Sequence, residues 1–170
     1  MLNEESAIEL TRFIHKTYLI RGRFKKDDMK AEDIELVKKS WKLIEQMDKV
    51  AVGGIFYRKL FQLAPEVKPL FVNISIEEQA TKLVTMLTYI IENVDQLHVI
   101  ITDVKRLAQR HVHYGVKPAH YLSVGEALLW TLNNAFGKYW NDDFQSAWAA
   151  VYEELAAAMI TAAEEDVALQ

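Results

Sequence analysis

Five histidines and no cysteine are present, so disulfides, cysteine metal sites and cysteine-linked chromophores are all ruled out. The histidines are not equivalent. His111 stands near the end of a helical run, just before a tight corner. Stepping back in heptads from it gives Val104 and Leu97, with Ile100, Leu107 and Ala108 beside them, so its face is apolar. A polar imidazole aimed into an apolar cleft must find a partner. The plain reading is a core histidine bonded to a backbone carbonyl, and the sharper one depends on its neighbours. His113, two residues on, faces nearly the other way. His15, His98 and His120 lie on polar or terminal stretches and are expected to be solvated.

The element that must position His111 is the stretch LAQRHVHYGVKPAHYLSVGEALLWTL, Leu107 to Leu132. It starts as the end of one helix, breaks at Tyr114-Gly115-Val116-Lys117-Pro118, and restarts as a second, strongly apolar helix. Gly115 can take positive φ after a helix end. Pro118 suits the first turn of the next helix, where its missing N–H costs nothing.

The rest of the chain is helical in the same way. Asn3, followed by Glu4 and Glu5, predicts a capped amphipathic helix to about Ile20, and Arg21 to Lys30 a charged linker. Ile34, Val37, Trp41 and Ile44 form one stripe from Ala31 onward. A break at Gln46-Met47-Asp48 leads to a second helix, in which Gly53 and Gly54 allow a close helix crossing. Ala64-Pro65-Glu66 restarts a short helix closed by Val67, Leu70 and Phe71. Ser75 to Glu78 reads as a capping box. The helix it opens carries Leu83, Met86, Leu87, Ile90 and Ile91 to about Asn93. Helices over 97–111 and 118–136 follow, the second stopped by Gly137. Asn141 caps the last, with Trp148, Val151, Tyr152, Leu155, Met159 and Ile160 as its stripe. The expectation is an all-α domain over 31–165, of about seven helices, with an extension over 1–30 and a tail over 166–170.

Composition narrows the class. At 170 residues the chain is one domain's worth, enough to bury roughly two-thirds of its unfolded surface. Only 6 glycines and 3 prolines argue against a turn-rich β fold and against disorder. A net charge of −4 gives no support to a nucleic-acid partner. No apolar run approaches membrane-spanning length and no signal peptide is visible, which with the missing cysteines fits a cytoplasmic protein.

The stretch around His111 resembles the globins, and most closely the haem domain of bacterial flavohaemoglobins and their single-domain relatives. The matching residues are Arg110-His111, Tyr114-Gly115-Val116, Pro118, Tyr121, Val124-Gly125-Glu126, Leu128-Leu129 and Thr131-Leu132. A second match is FYRKLFQLAPEVKPLF, Phe56 to Phe71, which resembles the second helix, its proline corner and the phenylalanine that stacks on the haem. The resemblance implies a globin fold, a 3-on-3 helical sandwich, with haem b as cofactor and His111 as the proximal ligand of its iron. The carbonyl of Leu107 would then hold the other ring nitrogen. It further places Tyr57 and Gln79 as the pair that holds a bound diatomic ligand, Leu83 beside them and Phe71 on the ring; Lys82, three residues after Gln79, is open to pairing with a haem propionate, to staying solvated, or to ligating iron itself when oxygen is absent.

On the proximal side Tyr121 matches the tyrosine that, with a glutamate, buttresses the axial histidine in flavohaemoglobins. The glutamate's place falls on Ala163, with Glu164 one step round; a one-residue offset turns a side chain by roughly 100°. The implied function is a dioxygen-binding haemoglobin, taking also carbon monoxide and nitric oxide. Oxygen transport and nitric oxide detoxification are its expected roles, the second as a nitric oxide dioxygenase served by an external reductase. The alternative is a haem-based gas or redox sensor signalling through the front helix. The expected assembly is a monomer or homodimer, with no nucleic acid and no membrane partner.

Overall fold

Apolar stripes at steps of three and four become six α-helices in a computed structural model that describes residues 30–168, with side chains to residue 165. The expected front helix, its linker as far as residue 29 and His15 lie outside the described residues. The helices are α1 (Ala31–Ile44), α2 (Lys49–Leu63), α3 (Ile76–Glu92), α4 (Ile101–His113), α5 (His120–Phe136) and α6 (Asp142–Ala168). Three 3₁₀ segments connect them, at Pro65–Phe71, Val94–Gln96 and Gly137–Tyr139. No strand occurs among the described residues, so the fold is all-α as expected. The last helix passes residue 165 and continues to Ala168.

Local chemistry sets the ends. The Asp48 carboxylate accepts from the N–H groups of Val50 and Ala51 at 2.8 and 3.3 Å, starting α2 at the expected break. Ser75 accepts from Glu78 N–H at 3.3 Å, while the Glu78 carboxylate leans 4.0 Å from Lys82. Asn141 accepts from Phe144 N–H at 3.0 Å to start α6. Gly115 takes φ +86°, with its N–H on the carbonyl of Val112 and that of Val116 on the carbonyl of His111, both at 2.9 Å. That double closure is a Schellman motif, and it stops α4 two residues after His111.

Two expected boundaries shift. Residues 97–100 are turn rather than helix, because the one-turn 3₁₀ at Val94–Gln96 absorbs the corner and Ile100 sits at φ −99°, ψ 10°. The chain over Pro118 and Ala119 is also turn, and α5 starts at His120. There the His120 ring is half-buried and accepts from Lys117 N–H at 3.1 Å, so this partly exposed histidine also closes its own corner.

The helices form two layers. α2, α5 and α6 make one; α1 and α4 cross it on α6, and α3 crosses it on α2. The α2–α3 crossing depends on Gly53, where an added Cβ would lie 2.5 Å from both Cα and Cβ of Ala80. Gly54 would meet only an Arg58 side-chain nitrogen at 3.7 Å, so one of the two glycines carries the expected close approach. Trp41 and Trp148 anchor the centre, rings 5.6 Å apart and each indole N–H satisfied, by Thr88 and Ser40 at 2.9 and 3.0 Å.

Candidate functional site

α3 and α4 face each other across a cleft, because each is packed chiefly on a different helix of the other layer. The apolar core is correspondingly divided. One cluster holds Tyr57, Phe56, Leu60, Val84 and Leu128, with Phe61, Phe71, Leu83 and Leu87 packed against it. The other holds Ile90, Ile100, Val104, Ala108, Leu155 and Met159, with Met86, Leu97, Leu107 and Tyr121 against it. Between α3 and α4 lies a cavity of about 270 Å³, lined by Met86, Tyr89, Ile90, Asp103, Val104, Leu107 and Arg110.

His111 projects from α4 on the second side. Its Nδ1 lies 2.8 Å from the carbonyl oxygen of Leu107, one turn back. A carbonyl can only accept, so Nδ1 carries the proton and donates, and Nε2 is left with a free lone pair. Burial is the main influence on the ring and pulls its pKa below the usual histidine value. The Leu107 bond opposes that, and the charge of Arg110 adds to it. A neutral, pre-oriented imidazole with one bare nitrogen is what a metal ligand requires. Among the described residues no group of three or more His, Cys, Asp or Glu side chains could hold a metal ion.

Tyr57 stands on α2, in the first cluster, 6% exposed. Its ring meets Phe71 edge-on at 5.3 Å, Phe56 edge-on at 5.1 Å and Phe61 at 5.9 Å. Phe61 and Phe71 in turn meet at 5.4 Å, an aromatic trio with Tyr57. Burial pushes the Tyr57 phenol up to about 12, so it stays a neutral donor at any physiological pH. No hydrogen-bond partner for its hydroxyl occurs among the described residues, and the hydroxyl is not sealed in, since no fully buried polar atom lacks a partner. A buried donor of this kind is available to a guest.

Leu83 and Gln79 follow one another on α3 at a spacing of one turn, so they share a face. Leu83 packs on the Tyr57 cluster, and Gln79 is half-buried in the first turn. Lys82 is exposed beside Glu78. On the other side Tyr121, at the start of α5, packs with Leu107 on the second cluster, and its carbonyl accepts from the Tyr152 hydroxyl at 2.5 Å. Gly125 makes room for that ring, because a Cβ there would lie 2.6 Å from Tyr152 Cε1. Ala163 is half-buried and Glu164 exposed. His98 and His113 are exposed.

The structure thus brings Tyr57, Phe71 and Leu83 into one cluster and Leu107 and Tyr121 into the other. Asp103 was not foreseen from the sequence, and Phe61 and Arg110 stood in the matching runs without a role of their own. Phe61 was available as the residue one turn after Tyr57. Asp103 at the cavity rim carries no pattern that separates it from any solvated helix face.

The globin family model matches residues 54–159. The flavohemoprotein of Bacillus subtilis is 33% identical over 129 residues, which is 75% of this chain and 32% of that protein. The leghemoglobin of Canavalia lineata is 33% identical over 73% of this chain and 89% of its own length. The chain thus spans about a third of the flavohemoprotein and most of the leghemoglobin. Among solved structures, a bacterial globin from Campylobacter jejuni superposes with TM-score 0.71 at 25% identity, over 82% of this chain and 99% of its own. A candidate nitric oxide dioxygenase of Rhodothermus marinus, engineered as a carbene transferase, gives TM-score 0.74 at 25% identity, over 83% and 97%.

Proposed function

The chain belongs to the globin family, and we propose that it holds its haem iron through His111 and binds dioxygen under Tyr57 and Gln79. The observation that carries this reading is the Nδ1 contact to the Leu107 carbonyl, which leaves His111 Nε2 as a free base at the edge of an apolar cleft. The bond also makes the imidazole a better electron donor by stabilising positive charge at Nδ1. The residues that would hold the group are His111 and Leu107 on one side and Phe71 and Leu83 on the other, with Tyr121 behind His111 and Lys82 at the exposed edge.

The distal residues act on the guest. The neutral Tyr57 hydroxyl, with no partner among the described residues, would donate to a diatomic guest that carries partial negative charge. Gln79 offers an amide N–H from α3 toward the same guest. Hydrogen bonds to a charged acceptor contribute about 1.5–3 kcal/mol each, so the pair slows oxygen release by roughly a hundredfold or more. Ring contacts with Phe56, Phe61 and Phe71 fix the Tyr57 ring.

Nitric oxide oxidation is the activity this pocket serves. When bound, the haem iron supplies the ligand site and one electron, so that nitric oxide and dioxygen leave as nitrate and the iron is left ferric. Repeated turnover takes one electron each time from an external reductase. The description of the Rhodothermus neighbour supports this reading. The test is the oxygen dissociation rate. Tyr57→Phe and Gln79→Leu should each raise it about tenfold or more. Rates unchanged in both would refute the distal assignment.

A further inference from the structure

The corner that joins the two helices facing the cleft carries a bond that the proposed function does not use. Tyr89, in the last turn of α3, donates its hydroxyl to Oδ2 of Asp103, in the first turn of α4, at 2.7 Å. Arg106 approaches the other oxygen of the same carboxylate at 3.7 Å. Tyr89 and Asp103 form the rim of the 270 Å³ cavity whose apolar wall is Met86, Ile90, Val104 and Leu107. Leu107 belongs both to that wall and, through its carbonyl, to the support of His111.

The geometry lets this corner set the angle between α3 and α4. α3 rests on α2 and α4 on α6, so the width of the cleft between them depends on how the corner over 93–100 holds. His111 lies about two turns beyond Asp103, roughly 12 Å along α4, and Gln79 roughly 15 Å back along α3 from Tyr89. A small change of angle at the corner is therefore enlarged where the cofactor sits. We propose that the Tyr89–Asp103 hydrogen bond is a clasp that holds the haem cleft closed from its corner end and slows loss of the cofactor. This rests on the haem reading above. The Tyr89 hydroxyl titrates above the usual tyrosine value chiefly because of its bond to Asp103, which agrees with a bond that must be broken for the corner to open.

A second pair at the same corner supplies the control. Lys38 meets Asp95 at 2.7 Å, but it ties the corner to α1 and does not cross the cleft. Haem transfer from the purified protein to an excess of apomyoglobin, followed in the Soret band, reads the clasp directly. Tyr89→Phe should lose haem about three- to tenfold faster, and Tyr89→Phe combined with Asp103→Ala should be no faster than either alone. Asp95→Ala should stay within about twofold of the parent. A parent-like rate in Tyr89→Phe, or an equal acceleration in Asp95→Ala, overturns the clasp. Amide hydrogen exchange on the haem-free chain tests it separately. Residues 101–108 should exchange faster in Tyr89→Phe than in Asp95→Ala, and equal exchange overturns the proposal. A parent chain that takes up no haem contradicts the proposed function instead, and the exchange result then decides the clasp.

Discussion

Substituting Gly53 is the sharpest test of how the distal helix is placed. Gly53 is buried where α2 crosses α3, and an alanine Cβ would stand 2.5 Å from Ala80 Cα and 2.8 Å from its carbonyl oxygen. Ordinary contact begins near 3.4 Å, and backbone cannot turn aside as a flexible side chain does. The helices must separate by roughly 1 Å, at the upper end of overpacking costs, about 3 kcal/mol. Alanine recovers about 1 kcal/mol of helix propensity over glycine. The net loss is about 2 kcal/mol, a fall in Tm of roughly 4–8 °C for a domain of this size. Gly54→Ala has the same propensity gain and meets only Arg58 Nη1 at 3.7 Å, so it should stabilise by up to about 1 kcal/mol. Thermal unfolding of both variants, haem-free, is the assay. Because Ala80 follows Gln79, Gly53→Ala should also speed oxygen release. If Gly53→Ala is as stable as the parent, or Gly54→Ala loses as much, the crossing argument fails.

Two further outcomes follow from the proximal side. Burial lowers the pKa of folded His111 below its unfolded value of 6.5, so between the two the unfolded chain binds more protons. The stability this histidine contributes is therefore full above pH 6.5 and falls as the pH drops through that window. Tm of the haem-free protein from pH 8 to 5 should decline more steeply in the parent than in His111→Leu; identical slopes would contradict the burial of the ring. Ala163 lies one turn after Met159, which packs in the cluster shared with Tyr121 and Leu107. Ala163→Glu should lower the iron reduction potential by strengthening the imidazole as a donor, while peroxidase activity in the parent stays modest; an unmoved potential would show that residue 163 does not reach His111's support.

Much of the helical frame was legible because burial is written in spacing. Val37, Trp41 and Ile44 are buried in α1 as their three-and-four steps require, and Val104 and Ala108 share the core beneath the face that carries His111. The stop at Gly115 was legible because few other residues take its φ. The start of α4 was not. Leu97 and Ile100 keep the apolar spacing of a helix but reach the same cluster from a turn, so periodicity alone could not tell the two apart. The bond from Lys117 N–H to His120 was not legible for a related reason, since it is a local corner contact with no periodic signature. In the candidate site, Tyr57, Phe71, Gln79 and Tyr121 were named by resemblance, since spacing does not select them. The Tyr89–Asp103 bond lies between exposed residues on different helices, and only the folded corner brings them together.

The central claim is that His111 is the ligand of a haem iron, and one set of absorption spectra tests it most directly. The purified protein, recorded oxidised, reduced, and reduced with carbon monoxide, should show the Soret and visible bands of a histidine-ligated haem. His111→Ala should lose the cofactor or recover the parent ferrous spectrum only when free imidazole is added. A His111→Ala protein whose ferrous and carbon monoxide spectra match the parent without imidazole would contradict the account.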